Sequence, residues 1–245
     1  MKPQEKHFFE VNLAKLPVEL RNDPAILRTS QQGKLLAFAY AVLEEKGYFD
    51  VEKSLTETPR PLLTFPLLDY LSNLDLRQAS MYELGAGHST LFFQQRFAKV
   101  DSLETDARWY HSLLPHLHSH ASLRLVETAQ IENAEIDYAG QDWMLIDFAG
   151  ARTKFIQRFF GDAERTQFPT YLILDNAEWY RNGARFLHGK GYSEIPFFGM
   201  KAAQTWVSCT SVFVKQGAQL PQMAASNPTP AFVRELDNTW DYLDQ

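Results

Sequence analysis

Short apolar runs alternate with helix-like patterns from about residue 80 to about residue 190, and this alternation constrains the fold most strongly. The apolar runs predict five strands, near 81–84, 100–104, 123–127, 143–147 and 171–175. The amphipathic patterns between and after them predict helices near 90–98, 106–118, 151–160 and 177–188. Strands that alternate with helices form a parallel sheet covered on both faces. The sequence therefore predicts an α/β fold.

The pattern changes after Gly191, where two further strands follow each other with little between them. These are the segments "YSEIPFFG" and "TWVSCTSVFVK". Consecutive strands joined without a helix pair most simply as antiparallel neighbours. We therefore expect a mostly parallel sheet of seven strands whose last strand is antiparallel.

The first third of the chain is predicted to be helical. The segment "KLLAFAYAVLEEKG" has apolar residues at helical spacing and ends in a glycine. A second helix follows with Thr64 as its predicted N-cap, and its apolar side is formed by Phe65, Leu68, Leu71 and Leu74. We expect residues 1–75 to form a helical N-terminal extension that packs on a domain spanning residues 76–245.

Composition limits the partners and the location that we expect. The 245 residues include 24 basic and 30 acidic ones, with a net charge of -6. No cluster of Lys and Arg interleaved with aromatics marks a nucleic-acid track, so a nucleic-acid partner is not expected. Cys209 is the sole cysteine, which excludes internal disulfides and fits a reducing compartment. No run reaches the roughly 18 apolar residues of a membrane span, and we expect a cytoplasmic protein without membrane contact.

Acidic residues stand at the end of every predicted strand of the parallel part. The set is Glu83, Glu104, Glu127, Asp147 and Asp175. In an open parallel sheet, ligands bind beyond the carboxyl ends of the strands, where the strand order reverses. The pattern favours a ligand site at this edge. The alternative is that polar residues simply end strands.

The segment "MYELGAGHSTLFF" reads as strand, tight turn and helix, with Gly85 and Gly87 in the turn. In the dinucleotide fingerprint G-x-G-x-x-G, a third glycine lets the helix pack closely on the strand. Thr90 occupies that position, which disfavours a nicotinamide dinucleotide. We expect Ser89, Thr90 and the N–H groups of the helix start to form an anion-friendly site.

The segment "YELGAGHSTL", followed about 20 residues later by "VDSLETDARWY", resembles two motifs of class I S-adenosylmethionine-dependent methyltransferases. These are the glycine motif of the first strand and the acidic motif of the second. The segments "WMLIDFAGAR", "YLILDNAEWY" and "TWVSCTSVFV" are similar to that family's fourth, fifth and last strands, over roughly residues 60–215. The resemblance implies a Rossmann-like sheet, S-adenosylmethionine as cofactor and a methyl acceptor that the sequence does not identify, which we expect to be a small molecule.

The resemblance also implies roles for particular residues. The turn would pass close to the methionine part of the cofactor, through Glu83, Gly85, Ala86, Gly87, His88 and Ser89. Glu104, followed by Thr105, would accept both ribose hydroxyls, since one carboxylate can take two O–H donors. Asp106 is then the N-cap of the next helix. Glu127, or the loop after it, would lie near the adenine.

Asp147 is the predicted catalytic residue, beside the transferred methyl group and placed to act as a base. A competing interpretation is a metal site, because Asp147, Asp175 and Asn176 occupy positions from which catechol-type O-methyltransferases hold Mg²⁺. Those enzymes place a lysine shortly after the first Asp, where this chain has Arg152. Magnesium is therefore possible but not favoured. A non-catalytic or regulatory nucleotide-binding module of the same fold is the other alternative.

Overall fold

The computed structural model describes residues 61–202 and 207–221, which contain one seven-stranded sheet. The strands are β1 (Ser80–Leu84), β2 (Lys99–Glu104), β3 (Ala121–Leu125), β4 (Trp143–Ile146), β5 (Tyr171–Asp175), β6 (Tyr192–Gly199) and β7 (Ser208–Lys215). Their order across the sheet is β3-β2-β1-β4-β5-β7-β6. Strands β1 to β5 are parallel, and β7 runs antiparallel to both β5 and β6. The predicted mostly parallel sheet with an antiparallel last strand is confirmed.

Six α-helices lie in the described part of the chain. They are α1 (Phe65–Ser72), α2 (His88–Phe93), α3 (Ala107–Leu113), α4 (Thr128–Glu132), α5 (Arg152–Gly161) and α6 (Arg181–Gly189). The sequence did not predict α4, because five residues are too few to show a period. It also extended α3 too far: the helix gives way to a 3-10 turn at Leu114–His116, where Pro115 has no N–H to continue it.

Both faces of the sheet are buried, as expected for parallel strands. Along β4, Met144 and Ile146 pack into the cluster beneath α5 and α6, whereas Trp143 and Leu145 pack into the cluster on the other face. All four side chains are almost completely buried. A strand buried on both sides has a continuous apolar sequence, which is why "WMLI" was recognisable as a strand.

Helix α1 packs on the same face of the sheet as Trp143 and Leu145, through Leu67 and Leu71, both fully buried. Phe65 is 48% exposed, so its predicted place in the buried stripe is wrong. Thr64 precedes the helix, but its hydroxyl donates to the Phe197 carbonyl at 3.1 Å instead of capping it. Residues 1–60, with the first predicted helix, lie outside the described residues, and the domain division at residue 75 stays a prediction.

None of the helices within residues 61–202 and 207–221 combines the length and the apolar composition needed to cross a bilayer.

Candidate functional site

The strand order reverses between β1 and β4, and the glycine turn after β1 lies at this point. Gly85 has a φ of +96°, a conformation that side chains rarely adopt, and an added Cβ would meet the Asp147 carbonyl oxygen at 2.6 Å. Its N–H donates to the Leu103 carbonyl at 2.9 Å. Gly85 is therefore explained by the fold itself, because the turn presses against the end of β4.

Gly87 lies in a different environment. Its φ of 174° is extended backbone that any residue can adopt. A Cβ built at this position meets no heavy atom of the described residues within 4 Å. Neither backbone conformation nor packing within the described residues requires glycine here. The open space over Gly87 lies where an open α/β sheet binds its ligand.

Thr90 holds the turn together. Its fully buried hydroxyl donates to Glu83 Oε2 at 2.6 Å and accepts from the Gly87 N–H at 3.0 Å. The expectation that this hydroxyl faces an anion is wrong, because both of its polar contacts are internal. Ser89 is also buried.

Glu83 is a carboxylate inside the core. It is completely buried, and the Ser102 hydroxyl donates to its Oε2 at 2.6 Å, beside the bond from Thr90. Oε1 is buried without a hydrogen bond of normal geometry from the described residues. Burial raises the pKa of Glu83 to about 7, although the nearby hydroxyls of Ser102, Ser89 and Thr90 oppose the shift. A buried oxygen that accepts no hydrogen bond of normal geometry from the described residues, beside an open turn, is suited to a ligand that donates hydrogen bonds.

Glu104 ends β2 next to this turn and is 6% exposed. Its Oε1 accepts from the N–H groups of Thr105 and Asp106, each at 2.7 Å. Burial raises its pKa, while the N–H groups of Asp106, Thr105 and Ala86 partly offset this. These main-chain bonds fix the orientation of the carboxylate.

Asp106 has the helix-capping role that the sequence predicted for it. Its Oδ1 accepts from the Arg108 N–H at 2.7 Å and from the Trp109 N–H at 3.3 Å, at the start of α3. The predicted N-cap is confirmed.

An apolar wall borders the turn. The rings of His88 and Trp109 meet edge to face, with their centroids 6.0 Å apart. Trp109 and Ala86 pack against a cluster of three buried leucines, Leu91, Leu113 and Leu123. The aromatic side chain of Trp109 thus belongs to the packing of α3.

Glu127 does not end a strand, so that prediction is wrong. Strand β3 ends at Leu125, which pairs with Glu104, because β2 itself ends there and no other described strand pairs with β3. Glu127 is exposed and stands directly before α4, where its N–H donates to the Gln130 side chain at 2.9 Å. Its proximity to an adenine stays a prediction.

Asp147 follows β4, and its N–H donates to the Leu84 carbonyl at 2.8 Å, beside the glycine turn. Its Oδ1 accepts from Arg152 Nη2 at 2.8 Å, and the side chain is 22% exposed. Burial and the Asp175 carboxylate raise the pKa of Asp147, against the opposing effects of Arg152 and Lys201. It is the partly accessible member of a cluster of four charged groups.

The other members of this cluster are buried. Arg152 donates to the carbonyls of Phe148 at 2.9 Å and Asp175 at 2.7 Å, in addition to Asp147. Asp175 accepts from Lys201 and from Thr210. Sequence reasoning missed Lys201 and Thr210, because they reach the site from the end of β6 and from β7, and no local motif includes them.

The predicted magnesium ligands can be tested against this arrangement. Oxygens of Asp147 and Asp175 already accept from protein cations, and within the described ranges no group of three acidic, His or Cys residues is arranged to hold a metal. The donor set does not fit Mg²⁺, which binds through oxygens that are free to coordinate it.

A shallow cavity elsewhere is not part of this site. It is lined by polar side chains of the segment between α5 and β5, together with Tyr138. That segment leads into the amino end of β5, whereas the acidic cluster stands at the carboxyl ends.

Comparisons with known proteins give the following findings. No family model matches the chain, and no curated protein matches it. Among solved structures, precorrin-6y C5,15-methyltransferase from Geobacter metallireducens is 16% identical, aligned over 65% of this chain and 93% of that one, with a TM-score of 0.46. Magnesium protoporphyrin IX methyltransferase from Synechocystis with bound SAM is 14% identical, aligned over 61% of this chain and 76% of that one, with a TM-score of 0.45. A dimethyladenosine transferase from Plasmodium falciparum is 12% identical, aligned over 63% of each chain, with a TM-score of 0.45.

These scores and identities are too low to carry an argument about activity. The architecture stands on the coordinates themselves: six strands run one way, and β7 is inserted antiparallel between β5 and β6. This is the Rossmann-like, mostly parallel sheet with an antiparallel last strand that the sequence predicted.

Proposed function

We propose that the chain is an S-adenosylmethionine-dependent methyltransferase of class I. The observation that carries this proposal is the open space over Gly87, next to the buried carboxylates of Glu83 and Glu104. Within the described residues neither carboxylate forms an ion pair. S-adenosylmethionine brings an ammonium and a sulfonium, both cationic, and a ribose with two O–H donors. A nicotinamide dinucleotide would instead bring a negative pyrophosphate towards two carboxylates, which is unfavourable.

The proposed binding mode assigns each group to a residue of the turn. The backbone from Gly85 to Gly87 lies against the methionine part, beside His88 and Ser89. Oε1 of Glu83, which accepts no hydrogen bond of normal geometry from the described residues, faces the cofactor's ammonium. Glu104, oriented by the Thr105 N–H, accepts the ribose hydroxyls.

Methyl transfer from a sulfonium is a displacement in which the acceptor atom attacks the methyl carbon and the thioether leaves. The protein's main task is to align the two reactants. Asp147 stands beside Gly85 and is the partly exposed acid there, so we propose that it accepts a proton from a hydroxyl or amine acceptor. We propose a small-molecule acceptor, since the sequence shows no cluster of basic residues for a nucleic acid.

Calorimetry with purified protein tests the cofactor. S-adenosylhomocysteine and S-adenosylmethionine should each bind one site per chain and raise the thermal midpoint, because a ligand that binds the folded state stabilises it. Failure of both at millimolar concentration would contradict the proposal. Binding of NAD in their place would favour an oxidoreductase, and binding without methyl transfer to any acceptor would favour the regulatory module.

Gly87→Ala tests the geometry of the proposed site. The new methyl group enters open space, so the free energy of unfolding should be unchanged within about 0.5 kcal/mol. It should collide with the proposed cofactor, and affinity for S-adenosylhomocysteine should fall at least about tenfold, or 1.4 kcal/mol. Gly189→Ala is the matched control, because its Cβ also meets nothing within 4 Å, but at the end of α6. Equal affinities for both variants would place the cofactor elsewhere.

A further inference from the structure

Lys201 is the most deeply buried cation in the described part of the chain. It follows β6, its side chain is 2% exposed, and its Nζ lies 2.5 Å from Asp175 Oδ2. Burying an ammonium is expensive unless a charged partner and hydrogen bonds compensate it. The position therefore has a specific electrostatic purpose.

The groups around Lys201 are fully paired with one another. The second oxygen of Asp175, Oδ1, accepts from the Thr210 hydroxyl at 2.6 Å. With its amide turned to satisfy both neighbours, Asn176 donates to Asp175 Oδ2 at 2.8 Å and accepts from Lys201 Nζ at 3.1 Å. Asn176 has a φ of 53°, a left-handed conformation that asparagine tolerates better than most residues. Lys201 thus fixes both residues that follow each other at the end of β5.

Arg152 repeats this arrangement on the side of β4. Its guanidinium joins the Asp147 carboxylate to the carbonyls of Phe148 and Asp175. Two carboxylates and two cations stand together at the ends of β4 and β5, and their formal charges cancel. The three oxygen-bearing side chains considered for a metal, Asp147, Asp175 and Asn176, all contact one of these cations.

We infer that Lys201 and Arg152 take the place of a divalent cation at the ends of β4 and β5. The ammonium of Lys201 occupies the place where such a cation would bind, because it contacts side-chain oxygens of both Asp175 and Asn176. It acts as a positioning residue that holds Asp175 and Asn176 without a metal. Removing its charge should leave a net charge of -1 and two oxygen donors without their cation, which is a site that a hard divalent ion prefers.

Mn²⁺ binding, followed by electron paramagnetic resonance and calorimetry, tests this inference without any assay of activity. In the wild-type background, Mn²⁺ binding should not depend on Asp175, so Asp175→Asn should leave it unchanged. Lys201→Met should bind one Mn²⁺ at least about tenfold more tightly than wild type. Lys154→Met is the matched control, because Lys154 pairs with Glu132 at 3.4 Å on the surface and its side chain is 41% exposed.

A second measurement separates this role from ordinary structural support. Lys201→Met should lower the thermal midpoint, and millimolar Mn²⁺ should restore part of the loss in this variant but not in wild type. The double variant Lys201→Met/Asp175→Asn should lose both the Mn²⁺ binding and the rescue. Lys201→Gln serves in the same experiments if the methionine variant does not fold.

Two results would overturn the inference. One is a Mn²⁺ ion bound to wild-type protein and removed by Asp175→Asn. The other is loss of stability in both Lys201 variants with no gain in Mn²⁺ binding. Neither result bears on cofactor binding at Gly87, so the proposed function can fail or survive independently.

Discussion

The two halves of the sheet's carboxyl edge are built in opposite ways. At the ends of β1 and β2, Glu83 and Glu104 are buried without an ion pair in the described residues, and the space over Gly87 is open. At the ends of β4 and β5, Asp147 and Asp175 are paired with Arg152 and Lys201. Both halves are acidic in sequence, yet among residues 61–202 and 207–221 only the first has carboxylates without a cationic partner.

This difference indicates which half awaits a ligand. A buried carboxylate without a counterion destabilises the folded chain, and a cationic ligand relieves that penalty. A carboxylate that already accepts from a buried lysine or arginine has little to gain from another cation. The difference therefore supports the proposed position of a cationic cofactor at the first half.

The largest expected effect comes from breaking the paired half. Arg152→Met leaves the Asp147 carboxylate and two carbonyl oxygens without their donor, and should lower the free energy of unfolding by about 3 kcal/mol. Urea denaturation measures this loss. Arg158→Met, on the exposed side of the same helix, is the control and should change stability by less than about 0.5 kcal/mol. Similar losses in the two variants would mean that Arg152 contributes only its aliphatic packing.

The second prediction concerns the unpaired half and pH. The pKa of Glu83 is raised from 4.5 to about 7 in the folded protein, so between these values the folded state binds more protons than the unfolded one. Stability should then fall as pH rises from about 5 to about 8, by up to about 3 kcal/mol from this group. Glu83→Gln mimics the protonated form and should flatten that part of the dependence.

Urea denaturation of wild type and Glu83→Gln at several pH values checks this sign. Asp147 contributes in the same direction, since its pKa is also raised, so the difference between wild type and variant isolates Glu83. Glu164→Gln on an exposed loop is the control and should follow wild type. If the free energy of unfolding of wild type and of Glu83→Gln depended on pH in the same way, ionisation of Glu83 would cost the folded protein little, and the argument for a cationic ligand there would fail.

The smallest expected effect separates the two acids after β2. Glu104→Gln keeps a carbonyl oxygen for the Thr105 and Asp106 N–H groups but removes the charge, and should weaken S-adenosylhomocysteine binding by about 1 to 3 kcal/mol. Asp106→Ala should instead lower stability by about 1 kcal/mol through loss of the α3 cap, with binding unchanged. Calorimetry and urea denaturation measure both. Weaker binding in Asp106→Ala than in Glu104→Gln would reverse the assignment.

The sequence by itself determined the sheet and the location of the candidate site. Strands such as "WMLI" are short, apolar and continuous, because burial on both faces leaves them no polar side, and such runs are visible without coordinates. The N-cap at Asp106 was equally readable, since it depends on residues within three positions of it. Local signals failed where burial decided the outcome, as at Phe65 and Glu127.

Only the tertiary structure decided which acidic side chains are paired with a cation. Asp175 and Lys201 are 26 residues apart, and Asp175 and Thr210 are 35 apart, so their contacts depend on β7 inserting between β5 and β6. The same insertion places Lys201 beside Asn176. The distinction between Gly85 and Gly87 likewise needed coordinates, because it depends on what lies opposite each Cα: the β4 carbonyl in one case and open space in the other. Charge pairing and empty space are properties of packed elements, and a linear pattern carries neither.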